Sequence, residues 1–309
     1  MLFVAAVVVI PKITDSVGGK NPTPGETVTA YLEALAAGDA EKALSYGKAT
    51  PANTDFLNDE ILGKQIAKMP ITNIRILDGA DEPQYEGTLP TNVRVAADFG
   101  GTTSDATLQM SKVDDQWKID TVFNTVELRG VGDDNAAADT VTLFGTPLKG
   151  TSTFYLFPGF TDLASSNKNL TFKSSKDHNL LLNGLIGYGL KNSILMQFEL
   201  SKTGTAAVSD AVAEAFAACE NSRSLTPPGC PYGVTRPDAV EGTATWGRAD
   251  LSRITASFFN ESELTVNVSG PVVMSVDVGL RDGGTAHGKI DKYFTGTVDV
   301  SKTPAKLSF

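Results

Sequence analysis

The two cysteines are the residues of this chain whose type and spacing most clearly predict chemistry. Cys219 and Cys230 are the only thiols among 309 residues, and they lie close together in sequence. We predict a disulfide that closes a short loop and contributes about 3 kcal/mol by restricting the unfolded chain. The alternative is two free thiols, one buried and one in a turn. Zinc would need two further ligands, and the two histidines, His178 and His287, lie far away in sequence.

A helix followed by a sharp stop is predicted to position the two cysteines. Apolar residues recur at three- and four-residue intervals from Val208 to Cys219, with acidic residues between them, which is the pattern of an amphipathic helix. Thr205 and Ser209 are candidate N-caps. The Pro-Pro-Gly sequence at 227–229 then ends the helix before the second cysteine. This order predicts one sulfur at the helix end and the other on the following turn.

Motifs for nucleophilic, phosphate-binding and zinc-protease chemistry are missing from the sequence. It contains no G-x-S-x-G, no G-x-x-x-x-G-K-[ST] and no H-E-x-x-H. The two histidines would form one proton relay only if the fold brought His178 to His287. We therefore predict no enzymatic activity, no cofactor and no metal.

Composition and charge argue against several classes of protein. Hydrophobic residues make up 41% of the chain and charged residues 20%, which is typical of a globular protein long enough for two domains. The formal net charge of −10, without a dense basic cluster, argues against a nucleic-acid partner. Abundant Gly, Thr, Ser and Asn favour strands and turns over helices.

The first residues predict a location outside the cytoplasm. Residues 2–10, LFVAAVVVI, form an apolar run about half as long as a membrane-spanning helix, and the polar stretch TDSVGGKNPTP follows. We interpret residues 1–12 as a partial membrane anchor and 13–24 as a linker. The alternative is a buried first strand, because valine and isoleucine dominate the run.

Residues 25–129 have the pattern of helices followed by an antiparallel meander. A helix from Gly25 is predicted to break at Gly38-Asp39, where Asp39 caps a second helix, and a third helix is predicted at 58–69. Strands are predicted at 71–77, 91–99, 106–113 and 117–123, with Asp114-Asp115 as a two-residue hairpin turn. Helices followed by a meander predict an α+β domain.

This first domain resembles a known superfamily. The opening PGETVTAYLEALAAGDAEKALSY and the strand DDQWKIDTV resemble the nuclear-transport-factor-two-like superfamily, particularly extracytoplasmic domains of actinobacterial lipoproteins and membrane proteins. The resemblance covers about residues 22–128 and implies a cone-shaped, cystatin-like fold. Enzymatic members generally place an Asp, His or Tyr inside the cone, which makes Tyr31, Tyr46, Asp98 and Asp120 the candidate pocket here. Alternatively, the tyrosines pack with their hydroxyls at the rim and the aspartates face solvent.

The composition of residues 130–140 predicts a linker. The pattern of residues 141–190 predicts a small β module. Short strands predicted at 141–144, 152–156 and 170–173 are separated by turn residues, and FGTPLKG predicts a hairpin. The stretch LFPGF resembles a pattern in small β modules of membrane-anchored surface proteins of Gram-positive bacteria, including the teicoplanin-resistance-associated type. Phe160 stands where those proteins have tyrosine.

Residues 191–309 repeat the order of a helix followed by strands. Strands are predicted at 243–246, 251–259, 263–269, 272–280 and 288–300, with turns at Gly270-Pro271 and at 282–284. The segment CENSRSLTPPGCPYG is similar to a loop of actinobacterial membrane proteins that have two such units. We therefore predict an α+β protein of two cystatin-like units, each a helix plus an antiparallel meander, with the small β module between them.

The predicted function follows from this organisation. We predict a non-enzymatic, membrane-tethered extracytoplasmic protein that binds or organises an envelope protein, glycan or lipid of a bacterial cell, with the membrane contacted through the N-terminal segment. One alternative is a small-molecule-binding or enzymatic cone in residues 25–129. Another is a structural spacer or the outer domain of a sensor.

Overall fold

The computed structural model describes residues 21–81, 91–129, 135–173, 179–185 and 190–309. Over these residues the protein is mixed α+β, with many strands and few helices. The predicted anchor at residues 2–10 lies outside the described residues. Within the described ranges, no helix is both long and apolar enough to cross a membrane.

The helices and strands are as follows in chain order. The helices are α1 (Pro24–Ala37), α2 (Ala40–Ser45), α3 (Asp59–Lys68) and α4 (Lys202–Glu220). The strands are β1 (Ile71–Asp78), β2 (Thr91–Phe99), β3 (Thr102–Val113), β4 (Gln116–Ile119), β5 (Asn124–Arg129), β6 (Val141–Leu143), β7 (Thr146–Pro147), β8 (Thr153–Leu156), β9 (Leu163–Ser165), β10 (Leu170–Phe172), β11 (Asn192–Leu195), β12 (Phe198–Leu200), β13 (Thr245–Trp246), β14 (Thr255–Asn260), β15 (Thr265–Gly279), β16 (Thr285–Asp299) and β17 (Lys306–Ser308).

Local capping explains the three N-terminal helices. Thr23 and Glu26 form a capping box at the start of α1, and Gly38 ends that helix with φ 78°, a left-handed conformation that glycine adopts at little cost. The Asp39 side chain accepts a hydrogen bond from the Lys42 backbone, so its predicted role as the N-cap of α2 is confirmed. Asn58 caps α3 in the same way, and the predicted third helix is also confirmed.

The first sheet is the predicted antiparallel meander, with the order β1-β2-β3-β4. Asp114 and Asp115 have φ 48° and 61°, which suits the two-residue hairpin between β3 and β4. The strand predicted at 117–123 is too long, because β4 ends at Ile119. Residues 121–124 are buried at successive positions, which an alternating strand does not allow, and they carry the chain from this sheet into β5.

The middle of the chain pairs with the end of the first predicted domain. β5 pairs antiparallel with β8 and parallel with β11, so strands from residues 124–129, 153–156 and 192–195 form one sheet. The predicted hairpin at FGTPLKG is confirmed, since β6 pairs with β7 through Phe144 and Gly145, which have φ 51° and 82°. β9 pairs with β6, and β10 pairs with β12.

Each of the two hydrophobic clusters includes residues from more than one of the predicted domains. Phe56 and Ile61, which precede the first sheet, belong to the cluster that holds the C-terminal strands. Phe157 and Leu182 of the middle segment belong to the cluster of α1 and the first sheet. The middle segment therefore contributes side chains to both cores.

The C-terminal region is a helix packed on an antiparallel sheet. Alternate residues of β15, from Val266 to Val278, are buried beneath α4 and its neighbours, and the residues between them face outward. On the buried side, the ring of Phe216 in α4 lies edge-on to that of Phe294 in β16, with 5.3 Å between centroids. Helix α4 begins earlier than predicted, because Ser201, and not Thr205 or Ser209, is the residue whose side chain caps it.

The turn predicted at Gly270-Pro271 is wrong, because β15 runs unbroken through both residues. Val273 and Ser275 accept hydrogen bonds from the Asp250 and Gly247 backbones, so the odd-numbered residues of β15 direct their backbone polar groups away from β16. β14 pairs only as far as Ser269. Pro271 therefore lies in the gap between these partners, where its missing N–H costs no ladder hydrogen bond.

The predicted disulfide between Cys219 and Cys230 is present, with the two Cα atoms 5.9 Å apart. Cys219 is buried at the end of α4, and Cys230 follows the Pro-Pro-Gly turn, as predicted. The closed loop is attached to the start of β13, since Arg223 O accepts from the Ala244 backbone and Ser224 O accepts from the Trp246 indole. The disulfide thus joins the end of α4 to a loop that is hydrogen-bonded to the start of β13.

Candidate functional site

Tyr31, the first residue of the predicted pocket, lies inside the core and not on a cavity wall. It has no solvent exposure, and its hydroxyl donates to Val122 O at 2.7 Å. Burial raises the pKa of this hydroxyl well above its usual range. The Tyr31 hydroxyl is consequently neutral, and its proton is already donated to a backbone carbonyl, so it is not available to a ligand.

Asp98 lies on the outer face of the first sheet. Buried residues of β2 alternate with it, and its carboxylate accepts from Asn73 Nδ2 at 2.5 Å and from Thr103 Oγ1 at 2.6 Å. These two hydrogen bonds lower the pKa of Asp98 because they stabilise its charged form. Asn73 has φ 51° at an irregularity in β1. We interpret Asp98 as a residue that stabilises this irregular edge.

Tyr46 and Asp120 lie near each other at the end of α2, on either side of the short link between Gly47 and Ile119. Both are partly exposed. Asp120 accepts a hydrogen bond from Ser111 Oγ at 2.6 Å, and Lys48 Nζ donates to the same serine at 3.1 Å. The four predicted pocket residues are thus placed in a core, on an outer face and at a rim, and they do not converge.

The two histidines cannot be compared as a pair. His178 lies outside the described residues. His287 lies on the exposed face of β16, where its Nδ1 is 2.7 Å from Asp277 Oδ1 on β15. No group of three or more His, Cys, Asp or Glu side chains that could hold a metal ion occurs within the described ranges.

Among the described residues, an open groove on the outer face of the C-terminal sheet is the candidate binding site. Its volume is about 510 Å³, and it crosses the end of the sheet where β14, β15, β16 and β17 lie side by side. Register places Asn267 beside Thr297 and Thr297 beside Ser308, and it places Ser269 beside Thr295. Six hydroxyl or amide side chains line the groove, namely Ser257, Asn267, Ser269, Thr295, Thr297 and Ser308.

Most of these polar groups are available to a ligand. The side-chain amide of Asn267 and the hydroxyls of Thr295, Thr297 and Ser308 make no hydrogen bond to other described residues. Ser257 Oγ donates weakly, at 3.4 Å, to the Asn267 backbone. Because an exposed hydroxyl both donates and accepts, this surface can match a ligand whose own groups do both.

Exposed aromatic rings lie on two sides of the groove. Tyr293 is 71% exposed, and its hydroxyl donates to Ser269 Oγ at 3.2 Å. Phe258 is 60% exposed and pairs with Asn267, next to an irregularity in β14 that turns it outward. Their rings provide apolar faces beside the polar groove.

The groove is lined without any charged side chain, although charged residues form 20% of the chain. Among the charged residues next to the lining, Lys306 shares the exposed side of β17 with Ser308 and lies opposite Asp299. Asp299 pairs with Lys302 at 2.8 Å, and Asp291 lies 3.8 Å from Lys289. The lining therefore offers no Lys or Arg side chain to a phosphate or carboxylate and no Asp or Glu side chain to a cation. The groove therefore suits a neutral, hydrogen-bonding ligand.

The groove was not predicted from the sequence, since its residues come from four strands. The signal that could have indicated it is the alternation of Thr, Asn and Ser with valine at 265–269, together with Thr295 and Thr297 at alternate positions of β16. In half-buried strands that pattern predicts a polar outer face, but it does not predict which strands meet.

No protein family, curated protein or solved structure matches this chain. The function proposed below consequently depends on the chemistry of the chain's own residues.

Proposed function

We propose that this protein is a non-enzymatic binding protein of a bacterial cell envelope, and that the groove on its C-terminal sheet holds a segment of neutral glycan. The observation that carries the proposal is the composition of the groove, with six hydroxyl or amide side chains and no charged one. A glycan presents many hydroxyls, which pair with such side chains, and its ring faces pack on exposed aromatics such as Tyr293 and Phe258.

A neutral glycan fits better than the other envelope partners. An anionic lipid headgroup would require cations in the groove, and the chain as a whole carries a formal charge of −10, which repels polyanions. A protein partner would favour a larger apolar centre than Tyr293 and Phe258 provide. Hydroxyl groups that are free to rotate suit a ligand with closely spaced hydroxyls of its own.

The proposed location is outside the cytoplasm, with the chain tethered by its N-terminal segment. The disulfide between Cys219 and Cys230 supports an oxidising compartment, because such bonds are rare in the cytosol. The apolar run at 2–10 and the polar stretch after it support the tether. Helices α1 to α3 followed by the β1–β4 meander, and α4 followed by β13–β17, support two cystatin-like units.

The binding site is tested with the disulfide-bonded protein on immobilised glycans. Retention on neutral glucan, mannan or neutral polysaccharide from a bacterial envelope is compared with retention on heparin, a polyanion. We expect retention on at least one neutral glycan and not on heparin. Asn267→Ala or Thr297→Val should weaken binding about three- to tenfold each, which is the effect of losing one hydrogen bond.

The matched control is Thr245→Val, which removes an exposed hydroxyl from β13 of the same sheet, away from the groove. This variant should bind as the parent does. Retention on heparin alone, no retention on any neutral glycan, or equal weakening by Thr245→Val would refute the proposal.

A further inference from the structure

One edge of the C-terminal sheet is open along most of its length. β16 pairs with β15 from Thr285 to Asp299, whereas on its other side β17 pairs only with residues 297–299. Among the described residues, no strand pairs with the remaining part of that side. An open strand edge presents unpaired N–H and C=O groups to any strand that can align with it.

The backbone hydrogen bonds show which residues face the open edge. Val300 N donates to Leu264 O, and Leu280 N donates to Gly284 O, so even-numbered residues exchange the bonds between β15 and β16. The odd-numbered residues of β16 therefore direct their N–H and C=O groups outward. Along the open stretch these residues include His287, Lys289, Asp291 and Tyr293.

We propose that β16 pairs with β16 of a second copy of this chain, antiparallel, about a two-fold axis at Ile290. This register places Lys289 opposite the partner's Asp291 and Asp291 opposite the partner's Lys289. It also places His287 opposite the partner's Tyr293. All of these are odd-numbered residues, so each pair exchanges backbone hydrogen bonds across the open edge.

The charges of Lys289 and Asp291 favour an axis at Ile290 over an axis at either neighbouring residue. A two-fold axis at Asp291 would place that carboxylate against the partner's Asp291, and an axis at Lys289 would place two ammonium groups together. An axis at Ile290 instead forms two opposite-charge pairs from one Lys and one Asp on each copy. Lys289 and Asp291 are about two-thirds exposed, with side-chain exposures of 66% and 65%, and so are accessible to a partner.

The other charged groups around the edge tolerate this pairing. On the same face, Asp277 lies against His287 within the copy and remains there. On the opposite face, Lys292 would lie beside the partner's Gly288, and Ile290 would pack on the partner's Ile290. Lysines often protect exposed edges from pairing, but here the two-fold axis brings Lys289 to a carboxylate.

The pairing would join the two C-terminal sheets into one. A two-fold axis through an antiparallel pair is perpendicular to the sheet, so the outer faces of both copies lie on the same side. Two glycan grooves would then face one surface, and binding to a long polysaccharide would be bivalent. This consequence depends on the proposed function, whereas the pairing itself does not.

The test is sedimentation equilibrium of the disulfide-bonded protein and of two charge variants. We expect a concentration-dependent dimer for the parent. Lys289→Asp brings two pairs of carboxylates together, and Asp291→Lys brings two pairs of ammonium groups together. Each should raise the dimer dissociation constant roughly thirtyfold, since two attractive cross-strand pairs become repulsive.

Mixing the two variants provides the decisive measurement. In a heterodimer of Lys289→Asp with Asp291→Lys, every cross-strand pair is again of opposite charge, so the mixture should dimerise as the parent does although neither variant does so alone. The exposed pair Lys173 and Glu199, exchanged in the same way, is the control and should have no effect.

Hydrogen exchange offers a second measurement that does not depend on mutation. The amide groups of His287, Lys289, Asp291 and Tyr293 should become protected as protein concentration rises, while those of Ile290 and Lys292, which already bond to β15, should change little. A parent that remains monomeric at high concentration, or a dimer unaffected by either charge variant, would overturn the proposal. Neither result bears on glycan retention, so the two proposals fail separately.

Discussion

Removing the disulfide should destabilise the C-terminal region in a measurable and local way. The change is Cys219→Ala together with Cys230→Ala. Alanine is preferred to serine because Cys219 is only 2% exposed, and a hydroxyl there would be buried without a designed partner. The variant keeps the helix, the turn and the strands that the loop joins.

The expected loss is about 3 kcal/mol. The cysteines lie 11 positions apart in sequence, and closing a loop of that length removes this much chain entropy from the unfolded state. In the folded state the loop remains attached by other bonds, including Val234 N to Leu225 O at 2.7 Å and Trp246 Nε1 to Ser224 O at 3.1 Å. Because these contacts do not require the sulfur bridge, the native fold should persist.

Trp246 provides the assay. Its ring lies 5.0 Å from that of Tyr232, and its indole donates to the loop, so its fluorescence reports on this region. In a Trp117→Phe background it is the single tryptophan, since the chain has two. Urea unfolding of the bridged and cysteine-free proteins then gives the difference in free energy of unfolding at equal slope.

Reducing agent supplies the control, because it should lower the midpoint of the bridged protein to that of the variant and leave the variant unchanged. Trypsin should also cleave after Arg223, an exposed residue inside the loop, faster in the variant. A loss below about 0.5 kcal/mol would refute the chain-entropy argument. So would an equal response to reducing agent in both proteins.

Two further predictions concern β15 and the loop. Pro271→Ala should change the free energy of unfolding little, because no ladder bond is missing at Pro271. Val272→Pro should lower it by about 3 kcal/mol or more, because it removes a hydrogen bond to β16. Urea unfolding measures both values, and similar effects of the two variants would contradict the register. Burial, with a smaller effect of Glu220, raises the pKa of Tyr232 to about 12. Since the unfolded value is about 10, this tyrosine stabilises the fold below pH 10, and that contribution is lost as the pH rises toward 12. Tyr232→Phe should reduce this alkaline loss in a denaturation series; an unchanged profile would assign the loss to another group.

The local elements could be predicted from the sequence because their signals act over a few residues. The Asp39 cap, the Asp114-Asp115 turn and the helix that carries Cys219 each depend on neighbours within one turn of chain. The disulfide was predictable for a similar reason, since a helix end and a following turn restrict how far apart the sulfurs can be. Gly270-Pro271 misled the prediction because that dipeptide is a common turn signal.

Pairing between distant strands was decided only by the tertiary structure. Whether Pro271 is tolerated depends on where β14 stops, and whether Asn267 lies beside Thr297 depends on a register set over the whole of β15 and β16. A shift of one residue would move every one of these side chains to the other face. Tyr31 shows the same limit: the sequence placed it on a helix facing inward, but only the packed core determined that Val122 occupies its hydroxyl. Side-chain type and spacing thus determined the elements, and the competition among strands for partners and buried area determined the site.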